Sequence, residues 1–544
     1  MRFAALCLLT IVGLLAGCQP AVETGSLGAA PLVPKYGIHE LTFERQVAGN
    51  PFWDAQARAT YTSPSGQRID VEGFYFGDGL YKVRFVPREH GRWTYKAQLR
   101  HGGETLRQAG GFACEGTSGD GFLRVSQRNC FRMEYESGRP FYPIGVENAG
   151  IFQAGFDGPT DDGKWRAVPL EEWCKAFDGA VNLQRILMNT AEKGAAERLI
   201  MPGGPLDRYN TDFAAKLDKA YRLVRSHGIS QMMILFQDMS PYSGPRTVFG
   251  RPTDTEDYKS LRSPNLPDQE KYLRYLVARY GCFVDIWEIF NEDTYASDEY
   301  LAHLYKVIRQ ADPYDHIITV NYPRPDKPFC DIIVPHEYMA IPANQTDVYL
   351  SKQIGSMKAF GKVVQYSEFG NKGELPNDDP IKWRLAVWAC FMNESGMLFW
   401  NMSGVKAPGK PNASGNTNTY LGPESRQHFR VLNEFTKDLP VDMRPLYMGM
   451  PSSNQIRGYG LANDKVAVLY VHHYTDYSKA VEGETLFVTI GPGRFRVRWI
   501  DPETGKQVGE EKNLRTRQQF LNLNVPPVKV DIACRIDKIS DIDQ

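Results

Sequence analysis

An excess of charge of one sign is what this 544-residue chain most plainly lacks: 63 basic residues meet 64 acidic ones, the net charge is −1, and no long basic run occurs. That removes the electrostatic footprint of nucleic-acid binding, so nucleic acid is not an expected partner. Metal-ligand spacing is missing too. Once Cys7 and Cys18 in the N-terminal stretch are set aside, Cys114, Cys130, Cys174, Cys282, Cys330, Cys390 and Cys534 form no CxxC pair. Neither a metal site nor a disulfide framework is implied, although one bridge, Cys114 to Cys130, stays open in an oxidising compartment. There is no repeat or low-complexity segment of note. The apolar stretch from Phe3 to Leu15 is short for a membrane-spanning helix. What the chain does have is apolar and aromatic side chain, 42% and 12% of residues, ample for packed cores. Its length predicts roughly three domains.

The N-terminus places Arg2 before the apolar stretch and ends it at Leu14-Leu15-Ala16-Gly17-Cys18. Residues 1–17 therefore read as a signal peptide. Its end resembles the bacterial lipobox, which implies cleavage before Cys18 and a lipid anchor on that cysteine. An ordinary secretory signal with an incidental cysteine is the alternative. Gln19 follows the cysteine. By resemblance to enterobacterial lipoproteins this implies the bacterial outer membrane, periplasmic or cell-surface facing. Residues 18–35 would form a flexible tether.

From 36 to 125 short alternating runs are separated by turn signals. Arg58 to Thr62 leads through Ser63-Pro64-Ser65-Gly66 into Arg68 to Val71, a hairpin pattern, and Leu80 to Phe85 and Arg92 to Ala97 flank a second turn containing Gly91. This spacing predicts a β-sandwich. The run Gly77 to Pro87, continued through Gly91-Arg92-Trp93, resembles the immunoglobulin-like domain of unassigned function that commonly precedes glycosidase barrels in bacterial secreted proteins. From 440 to 544 alternation returns, with strands expected at Lys465 to Val471 and Phe495 to Ile500, and a second, C-terminal β-sandwich is expected. His472-His473 simply continues a strand.

Between 126 and 439 strand and helix alternate, the pattern of an α/β fold. Phe213, Leu217, Ala220, Tyr221 and Val224 recur at helical spacing between Thr211 or Asp212 as cap and Gly228 as stop. Strands are expected at Phe141 to Val146, Leu183 to Leu187, Gln231 to Phe236, Val284 to Phe290, His316 to Val320, Asp331 to Val334, Val363 to Tyr366 and Met397 to Trp400. Eight such strands suit a (β/α)8 TIM barrel, here flanked by the two sandwiches.

Glu292 and Glu368 each close one of these β-branched and aromatic runs. In a parallel sheet buried on both faces an ionised side chain is tolerated at the strand end, which in a barrel is the active-site mouth. Two carboxylates there can divide glycoside hydrolysis between proton donation and attack at the anomeric carbon. Asn291-Glu292 after the fourth strand and Glu368-Phe369-Gly370 after the seventh resemble clan A of the glycoside hydrolases, the cellulase-like retaining enzymes, over the central segment. The resemblance extends to Asn182-Leu183-Gln184-Arg185 on the second strand, His336-Glu337-Tyr338 on the sixth and Trp400 ending the eighth.

What it implies is a glycosidase that hydrolyses O-glycosyl bonds of an external, β-linked polysaccharide or oligosaccharide with retention, without a cofactor. Glu368 would be the nucleophile and Glu292 the acid/base. Asn291 would bond the sugar 2-hydroxyl, Arg185 and Tyr338 would hold Glu368, and Trp400 would stack on the sugar. Ordinary alternatives stand beside these roles: a structural ion pair for Arg185, a core aromatic for Trp400, a satisfied core histidine for His336. Glu147, Asn148, Asp238 and Tyr242 follow the first and third strands and either bind sugar hydroxyls or are solvated. Two rival functions use the same residues, a non-catalytic carbohydrate-binding lipoprotein and a transglycosylase. A metal-dependent barrel hydrolase would need the His-x-His spacing that the first strand lacks.

Overall fold

The computed structural model describes residues 31–147, 156–159, 165–187, 199–200, 204–236, 260–293, 296–338, 340–371, 379–400, 421–450 and 453–542. The expected signal peptide, Cys18, Asn148, Asp238 and Tyr242 lie outside them. Among the described residues no helix is long and apolar enough to cross a membrane.

The N-terminal strands form a five-stranded and a three-stranded sheet. In Ala55–Thr62 alternate residues Ala55, Ala57, Ala59 and Tyr61 are buried, as a two-residue side-chain period requires. Tyr61 stacks on Phe85 of the other sheet with ring centroids 4.0 Å apart. The expected first hairpin is present, with Ala55–Thr62 antiparallel to Arg68–Glu72 and Gly66 at φ 88° in its turn. Leu80–Phe85 and Gly91–His101, expected to flank a second turn, belong to different sheets. Cys114 and Cys130 are both free thiols, so the bridge left open by the sequence is not formed.

The central sheet has eight parallel strands: β1 Ile144–Glu147, β2 Leu183–Leu187, β3 Ser230–Phe236, β4 Ile286–Phe290, β5 Ile317–Thr319, β6 His336–Tyr338, β7 Val364–Gly370 and β8 Ser395–Phe399. Neighbours follow chain order, and β1 pairs with β8, so the sheet curls on itself in a TIM-like manner. Across the β5–β6 seam the chain between them makes the bonds. Asp331 N donates to Ile318 O at 2.9 Å, Thr319 Oγ1 to Ile332 O at 2.6 Å, and Ile333 N to Val363 O at 2.8 Å. The sixth strand, expected over Asp331 to Val334, is thus split. Pro335, which has no N–H to give a ladder, separates its bridging half from β6.

Helices α1 Leu170–Phe177, α2 Thr211–Ser226, α3 Leu266–Tyr280, α4 Asp298–Ala311, α5 Thr346–Lys358, α6 Pro380–Met392 and α7 Pro423–Thr436 follow the strands, except that no helix joins β5 to β6. The α2 cap is Asn210, whose side chain accepts from Phe213 N, rather than Thr211 or Asp212. The barrel interior is layered. Leu183, Met232, Ile286, Ile317, Val363 and Leu398 form an apolar floor, sealed from below by Leu123, Met133 and Phe141 of a three-stranded meander. Charged and polar side chains sit above that floor, toward the strand ends.

C-terminal to α7 a six-stranded and a three-stranded sheet enclose a separate apolar core that includes Leu486, Val497 and Leu523. The two predicted strands are Val466–His473 and Gly493–Ile500. The larger sheet packs on the barrel through Trp388 of α6 and Tyr470, stacked at 5.0 Å.

Candidate active site

Register brings the polar residues together. In parallel pairing Glu147 lies opposite Arg185, and His336 opposite Glu368. A register irregularity between Tyr366 and Phe369, beside β8, interrupts the ladder at Glu368. Such irregularities re-aim a side chain at a sheet rim.

Arg185, fully buried, is the hub. Its Nε and Nη2 form a fork on Glu288, 2.8 Å to Oε2 and 2.6 Å to Oε1. Nη1 donates to Glu368 Oε1 at 2.7 Å and also to Glu147 Oε2, and Nη2 donates to Asn291 Oδ1 at 2.6 Å. Only a planar guanidinium fixes so many acceptors in one plane. Because Asn291 Oδ1 is taken, its amide N–H2 is left to donate into the mouth.

Glu368 receives a second donor, the Tyr338 hydroxyl, on Oε2. His336 Nδ1 lies 3.2 Å from Glu292 Oε1 and 3.3 Å from Glu368 Oε2. Burial, reinforced by the Arg185 charge, drives the His336 pKa well below its ordinary value, so the ring is neutral, with Nδ1 facing both carboxyls. The facing oxygens of Glu292 and Glu368 and His336 Nδ1 all lie within 4.8 Å of one another.

Glu292 differs from its partner in exposure, its side chain being 30% accessible against 6% for Glu368. It leaves β4 with φ 46°, a left-handed step costing a non-glycine residue roughly 1–2 kcal/mol. Asn321 holds that step. Its Oδ1 accepts from Glu292 N at 3.1 Å, its backbone O from Asp293 N at 2.6 Å, and its Nδ2 donates to Val334 O at 2.6 Å. Burial raises the Glu292 pKa, opposed by the Arg185 charge. The carboxyls of Glu147 and Glu368 are also raised, first by burial, that of Glu368 also by the Glu147 charge beside it, since one guanidinium cannot balance every buried carboxylate around it.

The expected residues thus fall into three groups. Glu292, Glu368, Asn291, Arg185, His336 and Tyr338 converge. Trp400, half-buried, follows β8 directly and is anchored through its N–H to Phe369 O at 2.9 Å. Glu147 is placed otherwise than expected: at 1% exposure and bonded to Arg185, it is buried against the guanidinium rather than lining the mouth. Sequence reasoning passed over Glu288 and Asn321. Glu288 carried a usable signal, because a charge inside an apolar parallel strand needs a buried partner, and Arg185 lies at matching depth two strands away.

Comparison with known proteins bears on the fold. Residues 32–100 match a domain of unknown function, DUF5060. No curated protein matches. A protein of Bacteroides vulgatus ATCC 8482, provisionally named a glycoside hydrolase, superposes with TM-score 0.67 at 19% identity, over 94% of this chain and 100% of its own. A glycoside hydrolase family 5 protein from the same organism gives TM-score 0.52 at 14% identity over 77% and 93%. At such identities the shared property is the fold.

Proposed function

We propose that the chain is a retaining glycoside hydrolase acting on a β-linked polysaccharide or oligosaccharide by double displacement. The observation that carries this reading is that Glu292 and Glu368 face one another across one mouth, an oxygen of each lying within 3.3 Å of His336 Nδ1 and the two oxygens within 4.8 Å of each other. Retaining enzymes hold their carboxyls about 5–5.5 Å apart, whereas inverting ones leave roughly 6.5–9.5 Å for a water. The fold shared with structures named as glycoside hydrolases agrees with it.

In the first step Glu368 attacks the anomeric carbon as the glycosidic C–O bond breaks, and the proton of Glu292 passes to the leaving oxygen. In the second, Glu292 takes a proton from water, whose oxygen displaces Glu368 and restores both groups. The environments divide the roles. Glu368 accepts from Arg185 and Tyr338, which favours its anion against the burial that raises it. Glu292, which among the described residues makes no ion pair to a guanidinium and has a raised pKa, stays protonated to donate. Asn291 N–H2 is free to meet the 2-hydroxyl, where a bond strengthens in the transition state.

Residues 36–125 and 440–544 read as β-sandwich modules on the barrel at 126–439, with residues 1–17 removed and Cys18 lipidated. Glu368→Ala and Glu292→Ala should each lower kcat by at least about a thousandfold with Tm little changed. Azide should restore turnover to the Glu292 variant by replacing the activated water. Wild-type rates in either variant would defeat the assignment.

A further inference from the structure

The segment after β5 carries a side chain that the mechanism above does not use. Tyr322 is 45% exposed, one of the few large aromatics exposed among the described residues. Its ring meets His336 edge to face, with centroids 6.3 Å apart, and His336 in turn bonds Glu292. The backbone on either side is pinned. Asn321 holds the 292–293 turn through its carbonyl and its side chain, and Arg324 donates to Asp293 Oδ2 at 2.9 Å and Asp298 Oδ1 at 2.8 Å. With no helix between β5 and β6, this clamped strip lies beside the mouth and presents an aromatic ring fixed in advance.

Position around the barrel decides which sugar the ring would meet. Trp400 follows β8, next to the Glu368 strand, while Tyr322 follows β5, next to the Glu292 strand. Glu292 protonates the oxygen that departs, so the departing sugar lies on its side of the cleavage point. A flat aromatic face suits the C–H side of a pyranose, and a ring already immobilised loses little entropy on contact.

We infer that Tyr322 is the platform for the leaving-group sugar, making this an enzyme that grips its substrate on both sides of the scissile bond. The inference rests on the hydrolase reading, and its test separates the two. Tyr322→Ala and Tyr322→Phe are compared on β-glucosyl, β-mannosyl, β-xylosyl and β-galactosyl fluorides and on the matching β-1,4-linked tetrasaccharides. Fluoride leaves no sugar behind on the departing side. Tyr322→Ala should lower kcat/KM for the cleaved tetrasaccharide about tenfold more than for its fluoride, the equivalent of one lost stacking contact, and Tyr322→Phe should restore it. Calorimetric binding of the same tetrasaccharides to Glu368→Ala, with and without Tyr322→Ala, should show the same tenfold weakening without any need for turnover. Equal losses on fluoride and tetrasaccharide, no loss on either, or a phenylalanine variant as impaired as the alanine one would overturn the assignment. Absence of all turnover with tetrasaccharide binding intact and Tyr322-dependent would sink the hydrolase reading alone.

Discussion

Arg185 carries one positive charge and faces three buried carboxylates, those of Glu147, Glu288 and Glu368. The fork on Glu288 makes that pair structural, and the remaining guanidinium nitrogen is divided between Glu147 and the proposed nucleophile. Glu147→Gln keeps a neutral donor toward Glu368 and removes a like charge beside it. The acid limb of the kcat/KM profile, which follows ionisation of Glu368, should then move to lower pH. Stability should respond as well. A carboxyl raised in the folded state contributes stability that is complete below the ordinary value of 4.5 and is lost as pH rises through its folded pKa. The variant should therefore lose less unfolding free energy than wild type above that pH, as read by urea titrations across the range. An unmoved acid limb with an unchanged stability slope would show that the Glu147 carboxyl neither acts on Glu368 nor titrates with folding. At this scale the meeting of Glu292 and Glu368 at one mouth was legible because both end apolar strands. It did not reveal the burial of Glu147, because a residue at a strand end can face the mouth or the guanidinium below it, and only register decides.

Elements are joined by buried charge more than their surfaces suggest. Arg84, on the N-terminal strand Leu80–Phe85, donates to Asp218 of α2 at 3.0 and 2.9 Å, to Arg279 O at the end of α3 at 2.8 Å, and to Glu40 at 2.8 Å. Arg279 donates to the same Asp218 at 2.9 Å. Removing one member of a buried network leaves the others uncompensated, so Arg84→Met should cost about 3–5 kcal/mol in chemical denaturation. A loss under ~1 kcal/mol would mean that the network relaxes freely. Most strands were legible, since parallel strands buried on both faces are β-branched runs of the right length. The sixth was misplaced because Asp331 to Val334 has the stronger apolar signal, while β6 is the polar half beyond Pro335 that carries His336 and Tyr338.

For the whole molecule, apolar packing is continuous from the N-terminal sheets into the barrel helices, with Phe85, Phe74, Tyr275 and Phe283 in one cluster. The barrel is thereby held between β modules rather than strung from them. The proposed membrane anchor rests on the far N-terminus: Cys18→Ser should move the protein from the membrane pellet to the soluble fraction of its host, and unchanged partition would remove the lipid anchor from the account. The substrate was not legible, because the strands fix the chemistry and the loops choose the sugar. The central claim is that Glu368 becomes covalently glycosylated. Its most direct test is intact-mass and peptide analysis after incubation with a panel of 2-deoxy-2-fluoroglycosyl fluorides. One sugar on the peptide that contains Glu368, absent in Glu368→Ala, is the expected result; attachment elsewhere, or product of inverted configuration with no adduct, would contradict it.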